Sequence, residues 1–217
     1  MITKKQTLQP AIIFDFDGTI ADSLPAVIEV FEAITGKPHG YSAEEIQELR
    51  HLSLLDLAAE LGVSRWRVPY LLFRGRRLLR TYLADIKAQR GIREVLASLQ
   101  ARGSRLFIVS SNSTENVRDY LAAHGLEKYF AGVYGGASLL GKARHLHKVI
   151  EKERIDTARS WYVGDETRDI IAAHAVSLRI ASVSWGYNSR ESLAAKQPDV
   201  LVDTAAELGR ILEDGRS

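Results

Sequence analysis

Residues 11–19 read AIIFDFDGT, a short apolar run that stops abruptly at Asp15 and is followed by Asp17 and a glycine–threonine turn. Continuous apolar character is typical of a strand buried on both faces, as in a parallel sheet. Similar runs recur along the chain, at Leu106–Val109, Ala131–Tyr134, Trp161–Val163, Ile180–Val183 and Val200–Val202. Helix-period stretches separate most of them, at Val117–His124, Ala143–Glu153, Asp169–Val176 and Ala205–Leu212. The alternation predicts an α/β protein with a Rossmann-like, doubly wound parallel sheet.

One long interval interrupts this alternation. Residues 21–87 contain no convincing strand and are rich in leucine and alanine at helical spacing. We predict helices there at Pro25–Thr35, Ala43–Leu49, Leu54–Leu61 and Pro69–Ile86. The chain is therefore expected to consist of an α/β core, residues 1–20 and 88–217, with residues 21–87 inserted as a helical cap domain.

Composition excludes several classes of protein. The 217 residues are 46% hydrophobic and 26% charged, which suits one globular domain with a modest insertion. A net charge of +2 gives no reason to expect a nucleic-acid partner. The absence of cysteine rules out disulfides, thiolate catalysis and cysteine-based metal sites. With no membrane-length apolar run and no secretory signal at the start, we expect a cytoplasmic protein without a membrane partner.

Polar side chains follow several of the predicted strands. In an open α/β sheet, ligands bind beyond the carboxyl ends of the strands, so these side chains are candidates for one site. Asp169 lies four residues after Asp165, which predicts a shared helix face. Asn112 with Glu115 is typical of a helix N-cap and its capping-box partner. The candidate segments are Asp15–Asp17, Ser110–Asn112, Gly141–Lys142 and Gly164–Glu166 with Asp169.

Three or four carboxylates, one lysine and a hydroxyl-bearing loop are suited to Mg²⁺-assisted phosphoryl transfer. Two aspartates held two residues apart favour a cation between them, and hard oxygen ligands suit Mg²⁺. An ammonium group offsets phosphate charge, and hydroxyl and backbone N–H groups bind phosphate oxygens. A free carboxylate can attack phosphorus and divide hydrolysis into two steps.

These segments resemble the four motifs of the haloacid-dehalogenase-like (HAD) hydrolases, and within them the phosphoglycolate-phosphatase-like branch. Asp15–Ser23 matches the first motif in full, and the resemblance extends from Ile12 to about Leu212. The other three motifs follow in order, at Val109–Asn112, at Gly141–Ala143 and at Val163–Glu166 with Asp169.

The resemblance implies a role for each matching residue. Asp15 is expected to be the nucleophile and Asp17 the general acid/base. Phosphate would be held by Ser110 and Lys142, with Ser111 a further candidate. The expected Mg²⁺ ligands are Asp15, the Asp17 carbonyl, Asp165 and Asp169. The function implied is a Mg²⁺-dependent phosphatase that hydrolyses small phosphate monoesters, with a phosphorylated metabolite as its substrate. The resemblance also implies that the helical insertion is a mobile cap that closes over the site. We expect the protein to be a monomer or a small homo-oligomer.

The chain departs from this family pattern at three positions. Ser177 stands where relatives often have glycine, and because a left-handed residue other than glycine costs about 1 kcal/mol, we expect a different turn there. In the insert, His51 replaces a frequent glycine, and Leu54 stands where some relatives have a phosphate-binding arginine. The identity of the substrate is therefore not carried over from the family.

Three alternative functions remain open at this point. A sugar-phosphate mutase of the same fold uses the same four motifs. A nucleotide-binding protein is a different class: residues 136–142 fit the first seven positions of a P-loop, but Ala143 occupies the eighth, where serine or threonine would ligate Mg²⁺. A scaffold protein with a vestigial site is the third.

Residues 61–105 are strongly basic, with eleven arginines and lysines against two acids. Two interpretations are open. The basic side chains form a solvated helix face, or some of them face the cleft and bind a second anionic group of the substrate. The candidate pairs, each one helical turn apart, are Arg74 with Arg77 and Arg76 with Arg80.

Overall fold

A six-stranded parallel sheet forms the centre of the molecule. The computed structural model describes residues 7–35, 85–138 and 141–214, together with single positions and short stretches between 42 and 82. The strands run in the spatial order β3-β2-β1-β4-β5-β6, and every neighbouring pair is parallel. Their bounds are Ile12–Phe14 (β1), Leu106–Val109 (β2), Gly132–Tyr134 (β3), Trp161–Gly164 (β4), Arg179–Val183 (β5) and Val200–Val202 (β6). All six predicted strands are confirmed, and so is the doubly wound sheet.

Helices cover both faces of this sheet. Since successive residues of a strand point to opposite faces, Phe14 packs on one side and Ile13 on the other. The first face is covered by helices α1, α2, α3 and α7, and the second by α4, α5 and α6. The described helices are Leu24–Thr35 (α1), Ile92–Ala101 (α2), Thr114–Ala123 (α3), Lys142–Glu153 (α4), Thr167–Ala175 (α5), Arg190–Ala194 (α6) and Ala205–Asp214 (α7). The result is a three-layer α/β/α core.

The register of the three central strands sets the position of the candidate site. Phe14 in β1 lies opposite Ile108 in β2 and Val163 in β4. Asp15, which directly follows Phe14, therefore enters the crevice between the carboxyl ends of these two neighbours. This is the point where the order of the strands reverses, and ligands bind there in open α/β sheets.

The two ends of the predicted insert lie side by side. The Asp22 N–H donates to the Lys87 carbonyl at 2.8 Å, and the Gln89 N–H donates to the Ile20 carbonyl at the same distance. Helix α1 confirms the first predicted helix of the insert. The other three predicted helices lie largely outside the described residues. Within the part of the chain that the structure describes, no helix is long and apolar enough to cross a membrane.

The turn after α5 contradicts the expectation for Ser177. This residue adopts the left-handed conformation, with φ at 57°. Its N–H donates to the His174 carbonyl at 3.1 Å, and the Leu178 N–H donates to the Ala173 carbonyl at 3.0 Å. These two bonds form a Schellman motif, which ends the helix and buries Leu178. The expectation of a different turn was wrong, because these two bonds and the burial of Leu178 outweigh the strain of a left-handed serine.

Replacing Ser177 with glycine should therefore stabilise the protein. Glycine removes the clash between Cβ and the backbone, so we expect a gain of about 1 kcal/mol in the free energy of unfolding, or a rise of about 2–4 °C in Tm. Differential scanning calorimetry measures the change. Ser177→Ala is the matched control: it loses the same hydroxyl but keeps the strained Cβ, and its Tm should not rise. An equal rise in both variants would mean that the hydroxyl, and not the backbone conformation, is unfavourable.

Candidate active site

Asp15 lies at the centre of the candidate site and is 2% exposed. Its N–H donates to the Val163 carbonyl at 2.8 Å, which ties the residue to the end of β4. One carboxylate oxygen accepts from the Phe16 N–H at 2.8 Å, and the other accepts from Lys142 Nζ at 2.5 Å. Burial raises the pKa of Asp15 to about 7, against the opposing effect of the Lys142 ammonium.

Lys142 is the first residue of α4, and its side chain is buried in the same place. The ammonium group donates to one oxygen of Asp15 and one of Asp169, and it lies 5.4 Å from the centre of the Tyr162 ring. Burial would lower the pKa of Lys142, but the two carboxylates outweigh burial and raise it. The lysine is therefore a charged group held between two acids.

Asp165 follows β4 and is fully buried. One oxygen accepts from the Thr19 hydroxyl at 2.5 Å, and the other accepts from the Tyr187 N–H at 2.7 Å. Two glycines make room for the carboxylate: a Cβ at Gly18 would lie 2.1 Å from Asp165 Oδ2, and one at Gly186 would lie 2.2 Å from the same atom. The loops after β1 and β5 thus enclose this side chain.

Asp169 lies in the first turn of α5 and is also fully buried. Besides accepting from Lys142, its carboxylate accepts from the Glu166 N–H at 3.0 Å, which caps the start of the helix. The prediction that Asp165 and Asp169 share a helix face is wrong, because Asp165 precedes the helix. The two aspartates are close because one ends the strand and the other belongs to the first helical turn.

Asp15, Asp165 and Asp169 form a group that could hold a metal ion. One oxygen from each lies within 4.8 Å of the other two. The pKa of Asp165 is raised well above its usual value by burial, and further by the neighbouring charges of Glu166, Asp15 and Asp169. Bringing like charges together in a buried place is unfavourable unless a cation compensates them. The donor set consists of hard carboxylate oxygens, so it fits a divalent cation such as Mg²⁺.

Asp17 lies beside the triad, with its side chain directed to the loop after β2. Asn112 Nδ2 donates to Asp17 Oδ2 at 3.1 Å, and burial raises the pKa of this carboxyl. Asn112 is not the predicted N-cap of α3. The cap is Ser113, whose hydroxyl accepts from the Asn116 N–H at 3.1 Å. The amide of Asn112 is directed to Asp17 instead.

The two predicted phosphate-binding serines occupy different surroundings. Ser110 is fully buried, and its hydroxyl oxygen accepts from the Asn112 N–H at 2.9 Å. Ser111 is partly exposed, and its hydroxyl lies 3.4 Å from Nη2 of Arg168. The same Nη2 donates to Glu166 at 2.5 Å. Arg168 thus connects the loop after β2 to the loop after β4.

The P-loop-like segment has a different geometry from a phosphate cradle. In a P-loop, successive backbone N–H groups face the phosphates. Here the Gly136 N–H donates to the Asn112 carbonyl at 2.7 Å, and the Ala137 N–H donates to the Ser110 carbonyl at 3.1 Å. The Gly141 N–H donates within the segment itself. The first two bonds fasten residues 136–137 to the loop after β2, so the described N–H groups of the segment are already occupied and do not form a phosphate cradle.

The described arginines of the basic stretch favour a solvated face. Arg74, Arg77 and Arg80 are all exposed. Arg80 pairs with Glu115 at 2.9 Å and with Asp119 at 3.1 Å. Both acids belong to α3, so this arginine faces the core domain's surface. Arg76 and Leu54 lie outside the described residues.

Sequence reasoning missed several residues that shape the site. Thr19 was assigned only to the turn after Asp17, and Arg168, between Glu166 and Asp169, was assigned no role. Tyr187 and Asn188 were not identified at all, although residues 184–188 follow the apolar run of β5 just as the other candidate segments follow theirs. The rule that ligands lie beyond strand ends would have found them.

The fold and this acidic edge define a doubly wound α/β protein with a buried carboxylate–lysine centre. A family model described as haloacid dehalogenase-like hydrolase matches residues 12–183. The phosphoglycolate phosphatase of Synechococcus elongatus is 39% identical over 201 residues, covering 91% of this chain and 94% of that protein. The chain belongs to the haloacid dehalogenase-like hydrolase family, and the prediction of a phosphohydrolase is confirmed.

Solved structures share the fold. A protein from Clostridium acetobutylicum named a predicted phosphatase superposes with a TM-score of 0.79 at 20% identity, covering 96% of this chain and 100% of that one. A protein from Thermotoga maritima named as a β-phosphoglucomutase gives a TM-score of 0.69 at 20% identity, covering 95% and 99%. At these identities the likeness concerns the fold alone.

The raised pKa values of Asp15 and Asp165 predict how the stabilisation of the protein by a cation depends on pH. A carboxyl whose pKa is higher in the folded state retains a proton that the unfolded chain has lost, so without metal the stability should fall as pH rises from about 4 to about 7. Mg²⁺ must displace these protons at low pH. The rise in Tm caused by Mg²⁺ should therefore be larger at about pH 7.5 than at about pH 5.

Differential scanning fluorimetry at both pH values checks this expectation. Asp165→Asn should abolish the Mg²⁺-dependent rise in Tm, because it removes one of the three carboxylates that could hold the ion. Asp22→Asn is the matched control, since Asp22 is exposed and lies outside the triad. An equal Mg²⁺ effect in Asp165→Asn would show that the ion acts elsewhere.

Proposed function

We propose that this protein is a Mg²⁺-dependent phosphatase that hydrolyses small phosphate monoesters through an aspartyl-phosphate intermediate. The observation that carries the proposal is the buried contact of Lys142 with Asp15 and Asp169, beside Asp165. This arrangement provides a nucleophile, a fixed positive charge and oxygen ligands for a cation at one place. Each is needed for phosphoryl transfer.

In the first step, a carboxylate oxygen of Asp15 attacks phosphorus. A bond forms between this oxygen and phosphorus as the bond from phosphorus to the ester oxygen breaks. Asp17 donates a proton to the departing alkoxide. Its raised pKa favours the protonated carboxyl that this step requires, and Asn112 holds the side chain in position.

In the second step, Asp17 acts as a base. Its carboxylate takes a proton from water, and the water oxygen attacks phosphorus of the aspartyl-phosphate. The bond to Asp15 breaks, which releases inorganic phosphate and restores the nucleophile. Dividing hydrolysis in this way lets one carboxyl group serve as acid and then as base.

The remaining site residues bind and neutralise charge. Lys142 and the hydroxyl of Ser110 would hold the phosphoryl oxygens, with Ser111 at the rim of the same loop. Mg²⁺ would be held by Asp15, Asp165 and the Asp17 carbonyl. Asp169 would either bind the ion directly or support these ligands. When bound, it supplies positive charge to the phosphoryl oxygens and lowers the pKa of the buried acids.

A compound like phosphoglycolate is the substrate class we propose. The support is the relative from Synechococcus elongatus, which is named a phosphoglycolate phosphatase and aligns over nearly the whole of both chains. We further propose that residues 21–87 form a cap over the core of residues 1–20 and 88–217. The adjacent hydrogen bonds at 20–22 and 87–89 make a narrow junction that suits a domain able to close over the site.

Substitution of the two catalytic aspartates tests the mechanism. Asp15→Asn keeps the shape of the side chain but cannot attack phosphorus, so its turnover should fall to background. Asp17→Asn should lower kcat by about 10²–10⁴-fold through the loss of proton transfer. Initial rates of phosphate release with Mg²⁺ measure both effects. Asp22→Asn, in the same segment but exposed, should keep the wild-type rate. Substantial turnover by Asp15→Asn would contradict the aspartyl-phosphate route.

A panel of phosphate esters tests the reaction and its substrate. We expect phosphoglycolate to give the highest kcat/KM, activity to vanish with EDTA and return with Mg²⁺, and Ca²⁺ to support less turnover because its coordination is larger and looser. β-Glucose 1-phosphate separates the two related functions: a phosphatase releases inorganic phosphate from it, whereas a mutase yields glucose 6-phosphate. Full activity in EDTA would overturn the metal requirement, and an isomerised sugar phosphate would favour the mutase.

A further inference from the structure

Residues 184–189 form the loop after β5, which we call the β5 loop. It contacts the two segments that carry the site's aspartates. Trp185 Nε1 donates to the Thr19 carbonyl at 3.2 Å, in the turn after β1. The Tyr187 N–H donates to Asp165 Oδ2 at 2.7 Å. The β5 loop is therefore part of the frame that fixes the position of Asp165.

The β5 loop also holds a short piece of the insert, residues 50–52. The Ser189 N–H donates to the Arg50 carbonyl at 2.9 Å, and Arg50 Nη2 donates to the Ser184 carbonyl at 2.6 Å. The Ser189 hydroxyl lies 2.8 Å from His51 Nδ1. These contacts connect this piece of the insert to the loop that frames Asp165.

Asn188 belongs to both sets of contacts. Its Nδ2 donates to the carbonyls of Arg50 at 3.2 Å and Leu52 at 3.1 Å. Its Oδ1 accepts from the Thr167 N–H at 2.9 Å, and its own N–H donates to the Asp165 carbonyl at 3.2 Å. A side-chain amide can donate twice and accept at the other end, and Asn188 does both while 6% exposed.

We propose that Asn188 is a positioning residue that couples the docking of residues 50–52 to the geometry of Asp165. The inference rests on the metal site proposed above. If residues 50–52 move away, the Asn188 amide loses two acceptors, and a rotation of the side chain to find new ones breaks the bond from the partly buried Thr167 N–H. Docking of the insert and binding of a cation at Asp165 should therefore favour each other. Such coupling is reciprocal, so it can be measured from the cation side.

Hydrogen exchange of the Ser189 amide measures the docking directly, because this N–H is bonded to the Arg50 carbonyl. In the wild-type chain, Mg²⁺ should slow the exchange of this amide by about tenfold. The Ala195 amide provides the reference. It donates to Glu191 at the end of α6 and has no bond to the insert, so it should change little. Slowing confined to Ser189 separates local docking from global stabilisation.

Two variants break the coupling at different points. Asn188→Ala removes both the Nδ2 donor and the Oδ1 acceptor of the side-chain amide. Thr167→Pro replaces the N–H that donates to Oδ1 and leaves the Asn188 amide in place. Proline is tolerated at the first position of α5, and the preceding Glu166 is already extended, as proline requires. In both variants, Mg²⁺ should leave the exchange of Ser189 unchanged. Both should also bind Mg²⁺ more weakly by isothermal titration calorimetry.

Ser192→Ala is the matched control. It removes the hydrogen bond of 3.2 Å from the Ser192 hydroxyl to the His51 carbonyl, so it weakens the same docking without contact with Asp165 or Thr167. It should retain the Mg²⁺-dependent slowing at Ser189. A merely structural role of Asn188 would lower Tm without altering Mg²⁺ affinity.

The outcomes separate the coupling from the proposed function. A wild-type chain that binds Mg²⁺ in calorimetry without slowing of the Ser189 amide would overturn the coupling and leave the phosphatase intact. Unchanged slowing and affinity in Asn188→Ala would do the same. A wild-type chain that takes up no Mg²⁺ would overturn the metal site itself and the coupling with it.

Discussion

The ammonium group of Lys142, buried between Asp15 and Asp169, is the interaction on which the rest of the site depends. Burial disfavours the charged forms of Asp15 and Asp165, and the Lys142 ammonium provides compensating positive charge between two of the acids, with Arg168 adding to it nearby. Its charge does not balance all of the acids around it. The residual negative charge is the feature of the crevice that would favour the proposed divalent cation, and a phosphoryl group would bring further negative charge for such a cation to neutralise.

The sheet explains why these groups meet. Asp15, Ser110 and Asp165 lie far apart in sequence, yet each follows a central strand, and parallel pairing places all three at one edge. Helix starts add the other partners, because Lys142 begins α4 and Asp169 lies in the first turn of α5. The backbone at the end of a strand or the start of a helix is held in place by the hydrogen bonds of that element. The acids and the lysine of the candidate site are thus positioned by regular elements of the fold.

Much of this arrangement could be predicted because it depends on local patterns. Buried parallel strands read as continuous apolar runs, so all six were found, and so was the acidic edge that follows them. Helix α2 was not assigned although Ile92, Val95, Leu96 and Leu99 have helical spacing, so its signal was present in the sequence. Other features depend on tertiary contacts. The left-handed turn at Ser177 is stabilised by the burial of Leu178, and Asn112 is directed to Asp17 by a loop that no spacing rule describes.

The two glycines around Asp165 have a consequence for how substrate preference can change. A Cβ at Gly18 or Gly186 would lie 2.1 or 2.2 Å from Asp165 Oδ2, so two loops that are distant in sequence both approach this carboxylate with bare backbone. Neither loop can be remodelled without displacing the acid. These two positions are therefore closed to larger residues, and substrate preference cannot be altered by adding a side chain at either of them without disturbing the acid.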